Sequence, residues 1–103
     1  MALAAELGII MCQEARGAID QALAGFSSFA VMHPEHFLTS QAIFGKARCL
    51  QMLKRYSEAW SVYEDFIAAN PDSAWIDQAE SALSYIDMDS RAQKQAQADL
   101  TSD

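Results

Sequence analysis

The segment HPEH, His33 to His36, is where metal chemistry is most conceivable in this sequence. His33, Glu35 and His36 are side-chain types that zinc accepts. A metal site wants three or four converging donors, and the chain holds no third histidine. His33 also falls in the last turn of a helix, where a cation suits the dipole, and Pro34 ends that helix. Helix termination is the expected role, with a metal-dependent enzyme built on HPEH kept as a remote alternative. No metal or other cofactor is expected.

The remaining reactive residues support catalysis no better. Cys12 and Cys49 lack C-x-x-C spacing, and two cysteines are too few for the disulfide framework of a small secreted domain. Neither has a histidine partner for nucleophilic work, since His33 and His36 lie at helix ends. Both cysteines are expected to pack as small hydrophobes. The acids Glu58, Glu64, Asp65, Asp72, Asp77, Glu80, Asp87 and Asp89 read as a solvated face rather than a catalytic pair. There is no Gly-rich phosphate loop, no G-x-S-x-G and no H-E-x-x-H. The chain is not expected to be an enzyme.

Composition narrows the remaining classes. The 103 residues are 51% hydrophobic, with alanine making up much of that share, and Gly, Pro, Val, Ile and Thr are sparse. Residues that lose little side-chain freedom in a helix dominate, so the expected class is all-α. A net charge of −7 is a poor start for displacing counterions from nucleic acid, and no nucleic-acid partner is expected. No apolar run approaches the roughly 20 residues that span a bilayer, so no membrane span is expected. The apolar start MALAAELGIIMCQEARG lacks a basic n-region and is interrupted by Glu6, so it does not read as a signal peptide. A cytoplasmic location is expected, or a periplasmic one if the chain is cut from a longer precursor.

Apolar spacing of three and four places the helices. The first is expected over about Ala2–Arg16 and the second over about Ala18–Met32. A third is expected over about Leu38–Leu53, with Thr39 or Ser40 as N-cap. A fourth runs from near Ser57 to Asn70-Pro71, and a fifth follows Asp72 or Ser73 and buries Trp75, Ile76, Ala79, Leu83 and Ile86. Beyond Met88 there is little to bury, so fraying is expected past about Ala96.

The second and fourth helices are copies. An offset of 37 residues aligns Ala22 with Ala59, Leu23 with Trp60, Phe26 with Tyr63, Phe29 with Phe66 and Pro34 with Pro71. The register extends to Gly8 with Gly45, Cys12 with Cys49 and Gln41-Ala42 with Gln78-Ala79. This is an internal repeat of helical hairpins, whose apolar faces stay wet unless the units stack.

These residues resemble the tetratricopeptide repeat family. Counting from Ser40, Ala47, Leu50, Ala59, Tyr63 and Pro71 fall at its small, large, alanine, aromatic and proline positions. Tyr56, after the turn MLKRY, looks like the entry to the family's second helix. The period of 37, with its extra residues in PEHFLTSQ and a Pro71-Asp72-Ser73 turn, resembles the lengthened repeats of bacterial envelope-assembly proteins. Lys46 departs from the pattern, standing where an apolar residue is usual, with a stem long enough to cover apolar surface.

The resemblance implies tandem antiparallel hairpins stacked as a short right-handed superhelix, about two repeats plus a C-terminal capping helix. The repeat domain would occupy residues 1–89, with units at about 3–36 and 38–71 and the capping helix from about 73. Residues 90–103 would form a polar helical extension or a disordered tail. The resemblance also implies a concave groove built from Gln41, Phe44, Arg48, Gln51 and Met52, flanked by Leu7, Met11, Gln78 and Tyr85. Such a groove has one cation, amides, and exposed Phe, Met and Tyr, which suits a peptide or helix of a partner protein. One cation is too few for the family's clamp on a C-terminal carboxylate. The expected function is therefore a protein-interaction module or adaptor. The alternative is a self-associating scaffold, since exposed apolar ends such as Leu3 and Leu7, or Trp75 and Ile76, could dock another copy as a homo-oligomer.

Overall fold

The computed structural model describes residues 3–33 and 38–101, with side chains over 4–33 and 38–96. The described residues form five helices and no strand: α1 (Leu3–Ala15), α2 (Ile19–Met32), α3 (Thr39–Met52), α4 (Tyr56–Ala69) and α5 (Ile76–Thr101). The all-α class holds. Each helix packs on the next in the chain, and α1 also touches α3.

The turn chemistry repeats with the sequence. Gly17 and Lys54 are 37 residues apart and both have left-handed backbones. Around Gly17 the amide of Ala18 donates to the Gln13 carbonyl at 2.9 Å, and around Lys54 the amide of Arg55 donates to Leu50 at 2.8 Å. These six-residue loops close α1 and α3 in the same helix-stop geometry. The far ends match too, with the amides of His33 and Asn70 donating to Phe29 and Phe66 at 3.0 and 2.9 Å. The internal repeat is thus present in backbone geometry as well as in side-chain type.

Packing follows the same register. Ala22 and Ala59 are fully buried, and so, nearly, are Phe26 and Tyr63 and then Phe29 and Phe66. Phe26 of α2 lies against Gly45 of α3, where an added Cβ would come within 2.5 Å of the ring. That contact explains the glycine: no side chain fits at 45 without displacing the aromatic. One core gathers Leu7, Ile10, Phe26, Phe29 and Cys49, and a second gathers Phe44, Leu50, Tyr63, Phe66 and Ile86, with Leu23 packed against both. The Phe44 ring meets Tyr63, Phe66 and Trp75 edge-on at 5.4, 5.2 and 5.0 Å. Edge-to-face packing of this kind adds to the gain from burial.

Three details differ from expectation. Leu38, not Thr39 or Ser40, sits at the N-cap of α3. The Thr39 hydroxyl donates instead to the His33 carbonyl, tying the end of α2 to the start of α3. Cys12 is exposed rather than packed between helices, although Cys49 is buried as expected. The reason is positional: α2 covers the Cys49 face of α3, and among the described residues no helix covers the matching face of α1. Finally, α5 continues as helix through Thr101, past the Ala96 where fraying was expected.

Candidate partner-binding face

The expected groove residues lie along α1, α3 and α5 at helical steps of three, four and seven. The structure places them differently, with Arg48 and Gln51 half-buried. Phe44, Gln78 and Tyr85 line one shallow pocket of about 360 Å³ between α3 and α5, together with Tyr63, Asp77, Ser81 and Ala82. Gln41, Met11 and Met52 are exposed on the same helices without lining it. Leu7 belongs to the core.

Two expectations of exposure are corrected. Phe44 is only 8% exposed and Leu7 only 2%. Their neighbours account for this: Phe44 is held among three aromatic rings, and Leu7 packs with Ile10 and Phe26. Phe44 contributes the pocket floor rather than a protruding anchor. The protruding apolar groups are Tyr85, Met52 and Met11, at 64%, 53% and 45%.

Arg48 is also not the free cation expected of it. Its Nε and Nη2 donate to Oε2 and Oε1 of Glu14 at 2.5 and 2.7 Å, a two-point ion pair joining α3 to α1. The Glu14 side chain is only 11% exposed, so the pair is shielded on its acidic side. The hydrogen bond to Glu14 raises the arginine's pKa further, against the opposing effect of burial. A bidentate charge-assisted pair is stronger and more directional than a neutral hydrogen bond. Beside it, Tyr63 Oη donates a long hydrogen bond of 3.4 Å to Gln51 Oε1. Burial raises the Tyr63 pKa, so the phenol stays a neutral donor on the pocket wall.

Sequence reasoning missed a second concavity on the opposite side of α3. A cleft of about 560 Å³ runs between α2 and α4, lined by Leu23, Ser27, Lys46, Leu50, Ser61 and Asp65 among others. A neighbouring pocket of about 280 Å³ shares Lys46, Val62 and Asp65 with it. Lys46 was the legible signal, because a charge at an otherwise apolar position marks a place where the neighbouring helices part. Arg55, on its rim, is engaged with Glu58. The cleft is the larger concavity, but its lining mixes charges of both signs with serines. The pocket over Phe44 has a mainly apolar floor.

The chemical candidates add nothing to this. Pro34, Glu35, His36 and Phe37 lie outside the described residues. Among the described residues no cluster of three His, Cys, Asp or Glu side chains is placed to hold a metal. Burial pushes the Cys49 thiol up to about 11, so it is not primed as a nucleophile. No helix among the described residues is long and apolar enough to cross a membrane. No family model, curated protein or solved structure matches the chain.

Proposed function

We propose that this chain is a helical-repeat interaction module that receives a peptide or helix of a partner protein across the face of α1, α3 and α5. The observation that carries the reading is the apolar pocket floored by Phe44 and Tyr63 and flanked by exposed Tyr85. Amides and hydroxyls at Gln78 and Ser81 edge it. Aromatic anchors, adaptable methionines and a few orienting polar groups are the chemistry of peptide recognition by a groove. The tetratricopeptide-like spacing of Ala47, Leu50, Ala59, Tyr63 and Pro71, together with the duplicated turns, favours the same reading.

Arg48 is excluded as the probe of this function, because replacing it strips Glu14 of its counterion. The test uses Met52→Ser with Tyr85→Ser, both at exposed positions. Affinity capture from the native extract with the unaltered chain should enrich one or more proteins that the double variant loses. A partner retained equally by both chains ends the groove assignment.

A further inference from the structure

The pocket over Phe44 carries a charge that its surroundings do not balance. Asp77 is the only carboxylate or cation among the residues that line it. Asp77 is exposed and takes part in no ion pair among the described residues. The cations nearby are committed elsewhere. Arg48 acts on the Tyr63 phenol of the pocket wall through its field, but its Nε and Nη2 both go to Glu14, so the pair is neutral as a unit. Arg91 of α5 is held by Asp87 at 3.3 Å. What remains is an apolar floor with uncompensated negative charge along its α5 edge.

Along that edge Tyr85 and Met88 stand about one turn apart, both 64% exposed. Asp77 lies about two turns before Tyr85, and Asp89, also exposed and without an ion pair among the described residues, about one turn after it. A ligand that seats an apolar side chain on Phe44 therefore passes a carboxylate on either side. The form of that ligand is also constrained. An extended peptide needs partners for its own backbone groups. The face offers few, since the Gln51 amide oxygen already accepts from Tyr63, which leaves chiefly Gln41 and Gln78. A helix bonds its own backbone and needs only a side-chain contact.

We infer that the occupant of this pocket is a cationic amphipathic helix of a partner protein, which rests on the interaction-module reading above and narrows it to one chemistry. One large apolar side chain of the helix sits on the floor of Phe44 and Tyr63, against Tyr85. Lysines or arginines a turn to either side of that anchor meet Asp77 and Asp89. The net charge of −7 draws such a helix in and repels an acidic one. An anionic segment or a C-terminal carboxylate is refused, because the one cation of the face that could receive it is already engaged by Glu14.

Fluorescence anisotropy with the full chain and two synthetic helical peptides tests the inference. The peptides share one leucine stripe and differ only in carrying lysine or glutamate on the polar face. The lysine peptide should bind about tenfold more tightly at low salt, the margin shrinking as salt is added. Asp77→Asn should weaken it about fivefold. Asp65→Asn makes the same change in net charge beside the cleft between α2 and α4, and should have far less effect. Tyr85→Ser should weaken both peptides, since it removes the pocket's exposed wall. A lysine peptide that loses affinity with Tyr85→Ser but ignores Asp77→Asn overturns the charge inference and leaves the interaction module standing. A lysine peptide indifferent to Tyr85→Ser removes the pocket, and the inference with it. Equal binding of the two peptides, tighter binding of the glutamate peptide, or binding of neither also overturns the inference. So do equal losses from the two asparagine variants, which mark diffuse attraction rather than docking.

Discussion

Gly17 and Lys54 occupy the same position in successive turns and share a left-handed backbone, with φ of 85° and 61°. Only the first is a glycine. A side chain in that conformation costs about 1–2 kcal/mol, partly offset because glycine loses more chain entropy on folding. Lys54→Gly should therefore stabilise the chain by about 0.5–1 kcal/mol. Chemical denaturation checks it, and an unchanged or lower midpoint counts against this account of the turn.

The Phe26–Gly45 contact makes an opposite prediction for a glycine inside a helix. Gly45→Ala gains helix propensity but drives a methyl group into a buried ring, so a net loss of about 1–3 kcal/mol is expected. Gly8→Ala, its equivalent with open space above it, should gain about 0.5–1 kcal/mol. Thermal melts of the two variants should move in opposite directions.

Glu14 and Arg48 hold α1 to α3 across the unit boundary. Arg48→Met leaves a mostly buried carboxylate without its partner and should cost about 1–3 kcal/mol. Adding Glu14→Gln should recover part of that loss. Urea midpoints of the single and double variants measure the coupling, and strictly additive effects would show that the pair contributes no more than its separate side chains.

Alkaline pH should loosen both cores, the first at Cys49 and the second at Tyr63. Burial, and then the charge of Glu14, push the Cys49 thiol from 9.0 to about 11. The folded chain therefore holds this proton more tightly than the unfolded chain. The resulting stability is complete below 9.0 and lost as pH rises through about 11. Burial shifts Tyr63 upward as well, which acts in the same direction. Cys49→Ala should flatten part of the alkaline fall in urea midpoint. A profile of the same shape in both chains would rule out the thiol as a contributor.

The helices and their pairing were legible because they rest on local, periodic information. Ala22, Phe26 and Phe29 recur as Ala59, Tyr63 and Phe66, and prolines close both units. The face on α1, α3 and α5 was legible only as a set of positions. Helical register says that Arg48 and Phe44 share a side of α3, but not that Glu14 reaches the guanidinium. Nor does it say that Trp75 and Phe66 close over Phe44, since both facts depend on how α1, α4 and the turn before α5 lean on α3. The exposure of Cys12 has the same root. Ala5 and Gly8 precede it as Ala42 and Gly45 precede Cys49, but among the described residues no helix covers it as α2 covers Cys49.

The helices that touch in sequence also touch in space, and the α1–α3 contact adds to these, while α2 and α4 meet at most glancingly. The molecule is thus pinned along one margin, where Glu14 grips Arg48, and unlaced along the other, where Lys46 stands in the gap. Bending should follow the same asymmetry, the α2 and α4 ribs spreading or closing like a fan about the α1–α3 contact, with Leu23, packed against both cores, setting how far they can part.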